Sequence, residues 1–184
     1  IGTHAFNLAE YISGLRTEAL CGEVHTFVPD RLLDDDGAAL LRYEGGARGV
    51  LMASQVAVGQ ENSLSIRVYG EKGGLEWRQE EPNTLLMRWP DRQPEVIRTG
   101  GAGLSPWATA NTRTPAGHPE GYLEAFANLY HHFAAALQAR LAGEEPNPID
   151  LDFPSAEEGV RGMQFIEAIV STKNSNQKWI LLTD

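Results

Sequence analysis

The sequence predicts an α+β fold: a mostly antiparallel, open-faced sheet with helices packed on one face. Apolar residues repeat with a helical period at both ends of the chain, whereas the stretch from about Glu23 to Arg98 alternates with a period of two. Short turn signals separate the alternating runs, and strands joined by tight turns pair as antiparallel hairpins. Helices that lie outside such a strand block collect on one side of the sheet.

The first helix shows two distinct faces. Ala5, Leu8, Ala9 and Ile12 follow the spacing of a core-facing stripe, and Gly14 suits the C′ position that ends a helix. The opposite face carries His4, Asn7 and Tyr11. Because these residues are three and four positions apart, their side chains project the same way.

The strand block predicts a sheet with a partly apolar open face. Leu64, Ile66 and Val68 alternate with polar residues, and the run 49–58 (GVLMASQVAV) is apolar on both faces, as in a central strand covered on two sides. The helices can cover only one face of this sheet. An uncovered, partly apolar face is typical of an interface, so we expect a homo-oligomer, in the simplest case a homodimer, through the open sheet face.

Residues 99–118 (TGGAGLSPWATANTRTPAGH) have no clear period and predict a long loop. A loop of that length in a compact domain is either functional or disordered. Trp107, Asn111, Thr112 and Arg113 favour function, because disordered linkers rarely contain tryptophan.

Two helices and a strand are predicted after the loop. The longer helix has Pro119 at N1, Gly143 at C′ and a core stripe of aromatic and leucine side chains, namely Tyr122, Phe126, Leu129, Phe133 and Leu137. Ser155 and Glu158 form a capping box for a final helix that we expect to be well buried, with Gly159 and Gly162 allowing close backbone approach. Residues 179–182 read as a closing strand.

Composition excludes several classes of function. The chain of 184 residues carries a net charge of −10, and its 15 Lys and Arg residues are scattered, which disfavours nucleic acid and anionic membranes. It contains no apolar run long enough to span a bilayer and no signal-peptide pattern. The single cysteine, Cys21, cannot form an intrachain disulfide, which fits a cytoplasmic location.

Most motifs of the sequence do not indicate a catalytic or binding site. Residues 71–74 (EKGG) lack the dinucleotide-binding pattern and read as a hairpin turn, and Asp34–Asp36 read as a solvated turn rather than a cation site. His131 and His132 are adjacent on a helix and cannot easily share a metal, so we expect no metal site and give neither a catalytic role.

His4 and His118 are the better candidates. Both stand at predicted helix N-termini, which favour a neutral imidazole or a bound anion. A positioned histidine is the commonest acid–base group, although each residue could also be an ordinary member of a helix N-terminus.

The first residues, IGTHAFNLAEYISGL, resemble the D-x-G-x-H-x-x-[DN] signature of the glucose–fructose oxidoreductase, inositol dehydrogenase and rhizopine-catabolism (Gfo/Idh/MocA) family. The segments ALLRYEGGARGVLMASQ, LSIRVYGEKGGLEW and HPEGYLEAFANLYHHFAAAL look like later parts of the family's C-terminal domain. The resemblance implies that residues 1–184 are one substrate-binding and oligomerisation domain. The N-terminal Rossmann domain, with the catalytic lysine and the signature aspartate, is expected to be absent from this chain.

The resemblance also implies a function. The parent protein would transfer hydride between a sugar, inositol or related polyol and NAD or NADP, and this chain by itself would bind no cofactor and be inactive. His4 matches the signature histidine that handles the substrate proton, and Asn7 would bind a hydroxyl group. We assign Trp107, Asn111, Arg113 and His118 to substrate binding as well.

A second hypothesis comes from a different class. The chain could be a stand-alone, non-enzymatic module for sugar binding or dimerisation. The gene sequence upstream of Ile1 separates the two, because a βαβ segment with G-x-G-x-x-G, then E-K-P and Asp would indicate the enzyme, whereas a methionine start immediately before Ile1 would support the module. A third alternative is a full-length relative that is catalytically dead, which an assay with NAD(P) and a panel of sugars addresses.

Overall fold

A computed structural model describes residues 1–182 of the chain. Its helices are α1 (Gly2–Ser13), α2 (Pro106–Ala110), α3 (Tyr122–Leu141) and α4 (Ala156–Ser171). Its strands are β1 (Thr17–His25), β2 (Asp36–Tyr43), β3 (Arg48–Ser54), β4 (Ser65–Tyr69), β5 (Gly74–Arg78), β6 (Thr84–Arg88), β7 (Glu95–Arg98) and β8 (Ile180–Leu181). The strands form two antiparallel four-stranded sheets, in the orders β3-β2-β1-β8 and β4-β5-β6-β7. The predicted α+β class with antiparallel pairing is therefore confirmed.

The chain divides into two compact units. The first unit comprises residues 1–62 and the chain from Ser155 onward, and the second comprises residues 63–154. Each unit contains one of the two sheets.

The core of the first unit lies between its sheet and the helices α1 and α4. Alternation along β2 directs Ala39 and Leu41 into this core and leaves Leu40 about half exposed on the open face. The run 49–58 was predicted to be a central strand, but this prediction is wrong, because β3 is the edge strand of its sheet. Val50 is 78% exposed on the open face, opposite Leu40 in the register.

Helix α1 ends as its sequence predicts. Gly14 follows the last turn with φ 67°, and its N–H donates to the carbonyl of Glu10, which is the left-handed C-terminal geometry that glycine favours. The predicted apolar stripe is shifted, however. Phe6 is 1% exposed and stacks on Phe165 of α4 with a centroid distance of 4.4 Å, whereas Ile12 is 43% exposed.

Helix α4 begins with the predicted capping box. The N–H of Glu158 donates to Ser155 Oγ, and the N–H of Ser155 donates to the Glu158 carboxylate. A Cβ at Gly162 would lie 3.1 Å from the side-chain atom Thr3 Cγ2, so α1 packs closely there through a side chain rather than through the expected backbone, and Gly159 faces open space. The helix is also less buried than expected, since its exposed residues include Val160, Met163 and Val170.

The sheet of the second unit has one apolar and one basic face. The apolar face pairs Ile66 with Trp77 and Leu75 with Met87. The other face carries Glu76, and three arginine side chains place nitrogen atoms within 3.3 Å of its carboxylate: Arg67, Arg78 and Arg88. Hydrogen bonds from Arg78 and then Arg88 lower the pKa of Glu76 to about 2.

Helix α3 of the second unit corrects two predictions. It begins at Tyr122, with Gly121 rather than Pro119 at its start, because the Gly121 N–H donates to the Glu124 side chain. The predicted core stripe from Tyr122 to Leu137 is between 37% and 70% exposed, and the buried positions are Asn128, His132 and Ala136. The predicted end is confirmed, since Gly143 has the positive φ of a C′ glycine.

Candidate functional site

The exposed face of α1 carries the first group of candidate residues. His4, Asn7 and Tyr11 are all exposed, as their spacing predicts. The His4 side chain makes no hydrogen bond with any of the residues 1–182, so its ring nitrogens are free to bind a ligand. His4 can therefore accept or donate a proton at the surface of the first unit.

A buried ion pair fixes the orientation of α1. The Arg161 guanidinium of α4 contacts the carboxylate of Glu10, and the Glu10 carboxylate also accepts a 2.7 Å hydrogen bond from the Thr17 N–H at the start of β1. Arg161 donates in turn to the Thr17 carbonyl. Helix α1 is thus tied to both α4 and the sheet, and the position of His4 follows from these ties.

An open cavity of about 400 Å³ lies in the first unit beside the start of α1. Its walls are mainly apolar and include Gly2, Leu51, Phe165 and Ile169, with polar atoms supplied by Ser54 and Gln55. His4 does not line this cavity.

Asp35 at the rim of this cavity is a structural residue. It was expected in a solvated turn, but it is 4% exposed, and its carboxylate accepts hydrogen bonds from the backbone N–H groups of Phe27 and Val28 and from Arg31. The hydrogen bond from Phe27 does most to lower the pKa of Asp35. The Asp35 carboxylate is therefore engaged by hydrogen bonds within its own loop.

The segment 99–121 of the second unit contains most of the remaining candidates. It is not a structureless loop, because Ser105 caps the short helix α2, which carries Trp107. The side-chain amide of Asn111 donates to the Trp107 carbonyl at 3.1 Å and lies 3.4 Å from Asp152. Trp107 remains 44% exposed, so its ring is available for a flat apolar ligand surface.

Polar side chains of α3 and of Glu120 within the segment hold this segment in place. The Nε of Arg113 donates to Asn128 Oδ1 at 2.5 Å, and Asn128 Nδ2 donates to the Asn111 carbonyl at 2.9 Å. The Glu120 carboxylate accepts hydrogen bonds from the backbone N–H groups of Arg113 and Thr114. His132 lies beneath Asn111, with Nε2 3.2 Å from Asn111 Oδ1.

The structure brings together only some of the predicted site residues. Asn111 and Arg113 share one hydrogen-bonded network, and Trp107 joins it through its carbonyl group. The ring of His118 is exposed and contacts the nearby Pro115 carbonyl, and the His118 carbonyl accepts a hydrogen bond from Thr114 Oγ1, so His118 meets this network through its backbone and not through its ring. His4 and Asn7 belong to the other unit.

Sequence reasoning missed the residues that hold the segment. Asn128, His132, Glu120 and Asp150 were not selected, although Asn128 and His132 are four positions apart. Asn128 and His132 have the spacing that places two side chains on one face of a helix, and Ala136 continues that face, so this stripe of α3 was visible in the sequence. The prediction instead placed the apolar stripe of α3 in the core.

The described part of the chain contains neither a cluster of metal-ligating side chains nor a membrane-spanning helix. No three His, Cys, Asp or Glu side chains among residues 1–182 are grouped so that they could hold a metal ion. No helix in this range is long and apolar enough to cross a membrane. Both described sheets are antiparallel, so residues 1–182 contain no parallel βαβ unit of the kind that binds a dinucleotide.

Comparison with known proteins places this fold in a class. Residues 1–76 match the family model of the GFO/IDH/MocA C-terminal domain. The uncharacterized oxidoreductase YfiI of Bacillus subtilis (strain 168) is 29% identical over 182 residues, which are 98% of this chain and 46% of YfiI.

Solved structures agree over nearly the whole chain. The crystal structure of an oxidoreductase from Sinorhizobium meliloti is 43% identical with a TM-score of 0.92, covering 98% of this chain and 51% of that one. An inositol dehydrogenase homologue from Azotobacter vinelandii, complexed with NADH and myo-inositol, is 34% identical with a TM-score of 0.88, covering 98% of this chain and 48% of that one. The chain spans about half the length of these relatives.

The fold and these relatives define an α+β domain that is similar to about half of each of several oxidoreductases. More particularly, the chain resembles the C-terminal domain of Gfo/Idh/MocA family oxidoreductases, whose model its residues 1–76 match, and the resemblance found in its sequence is confirmed.

Proposed function

We propose that this chain is the C-terminal, substrate-binding and oligomerisation domain of a cytoplasmic NAD(P)-dependent oxidoreductase. The complete protein would transfer hydride between a secondary alcohol of a sugar, inositol or related polyol and nicotinamide. The observation that carries the proposal is the free, exposed imidazole of His4 on α1, in a chain 34% identical to an inositol dehydrogenase homologue complexed with NADH and myo-inositol.

The described residues of this chain do not fit a dinucleotide site. Residues 1–182 lack a parallel βαβ unit, and the sequence lacks a G-x-G-x-x-G loop. We therefore assign cofactor binding to a Rossmann domain in another part of the protein.

The step assigned to this chain is movement of a proton. When the alcohol is oxidised, its hydroxyl group must lose a proton, and His4 would accept that proton as general base. In the reverse reaction His4 would return it. Asn7, one turn along α1, has an amide that can donate to and accept from a neighbouring hydroxyl group.

The second unit offers side chains suited to a polyol. Trp107 is partly exposed and presents a flat apolar surface, and Arg113 and His118 present donors from the same segment. Asn111 has its amide already engaged, so it would act by shaping the segment. Polyols need many hydrogen-bonding groups and few charges, which agrees with this set.

The open face of the first sheet is proposed as the homo-oligomer interface. Its exposed apolar side chains lie on the neighbouring strands β2 and β3 and, beyond β1, on β8; they include Leu40, Val50, Met52 and Leu181. An exposed apolar surface of this kind favours association with a second copy.

Replacement of His4 tests the proposed function. In the full-length protein, His4→Gln is expected to lower kcat for NAD-linked oxidation of myo-inositol, or of the best substrate in a polyol panel, by about two orders of magnitude or more. His131→Gln, at an exposed histidine on α3, is the matched control. Turnover by His4→Gln close to that of the control would refute the role of His4. Absence of turnover with every polyol in the wild type would instead favour a non-enzymatic sugar-binding module.

A further inference from the structure

The buried histidine of α3 has an arrangement that neither catalysis nor simple packing explains. His132 is 2% exposed, and both of its ring nitrogens face oxygen atoms. Nδ1 lies 3.4 Å from Asp150 Oδ1, in the short 3₁₀ helix Pro148–Leu151, and Nε2 lies 3.2 Å from Asn111 Oδ1.

The amide of Asn111 cannot turn to relieve this arrangement. Its nitrogen, Nδ2, lies 3.1 Å from the Trp107 carbonyl and 3.4 Å from Asp152 Oδ2, and both of these partners are acceptors. If the amide were reversed, its oxygen would face two other oxygens. The atom that faces His132 Nε2 is therefore an oxygen, which can only accept.

A histidine between two acceptors must donate twice to satisfy both. A neutral imidazole carries one N–H and can donate to only one partner, whereas an imidazolium carries two. A buried ring without its second donor would leave a nitrogen lone pair facing an oxygen, which is unfavourable where water cannot enter.

The other charged groups around His132 come from each element packed against it. Asp150 is in direct contact, and Asp152 reaches it through Asn111. On α3 itself the His131 ring lies 5.7 Å away, and Arg113 of the 99–121 segment is bound to Asn128 one turn earlier. The charged group in direct contact with the ring is thus the Asp150 carboxylate, which is an acceptor for an Nδ1–H.

We propose that His132 is a positioning residue that, as an imidazolium, bridges Asn111 and Asp150 and so holds the 99–121 segment against α3 in its ligand-binding conformation. The inference rests on the proposed function in so far as that segment binds the polyol. The held segment carries Trp107 and Arg113, and Asn111 lies between them. Loss of the proton removes one of the two hydrogen bonds, so the segment is held at low pH and released as the pH rises.

The ring itself can be tested directly in the full-length protein. We expect the ¹⁵N chemical shifts of His132 at about pH 6 to show two protonated ring nitrogens, and a titration to higher pH to convert one of them. Hydrogen–deuterium exchange of peptides from residues 105–121, corrected for the intrinsic pH dependence of exchange, should rise over the same interval. A ring with only one protonated nitrogen while the segment is protected would overturn the proposal.

Variants separate positioning from simple stability. His132→Gln should raise the KM for the polyol by about tenfold, with a smaller effect on kcat, and should remove the rise of KM with pH that accompanies release of the segment. His131→Gln should change neither quantity. Asp150→Asn keeps a hydrogen-bonding side chain without the charge, and it should shift the pH at which the segment is released towards lower values.

The two hypotheses fail in different ways. Unchanged KM and unchanged pH dependence in His132→Gln, with normal folding by circular dichroism, would overturn the positioning role while leaving the enzymatic function intact. If no polyol is turned over but exchange of residues 105–121 still follows the titration of His132, the proposed function fails, and His132 still holds the segment. Should His132→Gln fail to fold, the Asp150→Asn shift and the ¹⁵N titration decide the matter, and absence of both would overturn the proposal.

Discussion

Glu10 of α1 and Arg161 of α4 form a two-point ion pair in the first unit. Arg161 Nη2 lies 3.1 Å from Glu10 Oε1, and Nε lies 3.4 Å from Oε2. The pair is joined by the backbone of Thr17, whose N–H and carbonyl both contact it. The helix that carries His4 is therefore held by charge as well as by its apolar side.

Breaking this ion pair should lower the free energy of unfolding substantially. Arg161→Met leaves the Glu10 carboxylate largely buried without its partner, so we expect the free energy of unfolding to fall by about 3–5 kcal/mol in urea titrations. Arg92→Met removes an exposed partner of Glu95 and should cost no more than about 1 kcal/mol. Equal losses in the two variants would contradict the structural role of the pair.

The stacked phenylalanines should dominate the packing of α1. Phe6→Ala removes a ring that is 1% exposed and stacked on Phe165, and we expect a loss of about 3–5 kcal/mol, measured by thermal or urea unfolding. Ile12→Ala is the control on the same helix, because that side chain is 43% exposed. A larger loss for Ile12→Ala than for Phe6→Ala would show that the sequence-based stripe was correct after all.

The Glu76 cluster should make the free energy of unfolding depend on pH in the acid range. The arginines lower the pKa of Glu76 from 4.5 to about 2 in the folded chain, so their contribution is complete above pH 4.5 and is lost as the pH falls towards 2. Glu76→Gln should therefore be less stable than wild type at neutral pH, with a difference that shrinks through this interval. The exposed Glu71→Gln is the control, and a difference that stays constant with pH would argue against the cluster.

The open face of the first sheet gives a test of association. In the full-length protein, Val50→Glu combined with Met52→Glu places two charges on this face and should shift sedimentation towards the monomer. Leu32→Glu, at a loop residue that is 98% exposed, should leave the assembly unchanged. If the double variant sediments like wild type, the interface lies elsewhere.

Local patterns predicted the features whose causes are local. The end of α1 at Gly14 and the capping box of Ser155 with Glu158 depend on residues within one helical turn, and both are confirmed. The common exposure of His4, Asn7 and Tyr11 follows in the same way from helical geometry.

Features that depend on topology were not predictable in this way. The apolar run of β3 has the composition of a central strand, but its position at the sheet edge is set by which strands pair with it. In the second unit, Asn111 meets Asn128, His132 and Asp152 across separations of 17, 21 and 41 residues, and no local periodicity encodes such contacts.

The reversed burial of α3 has a consequence for the mutational tolerance of this domain. Replacing an exposed aromatic residue such as Tyr130 by a polar one removes little buried area, whereas replacing Asn128 by leucine leaves the Arg113 guanidinium and the Asn111 carbonyl without a partner. Along this helix, substitutions towards greater hydrophobicity are therefore the damaging ones. A design procedure that scored α3 by its apolar stripe would preserve the tolerant positions and alter the intolerant ones.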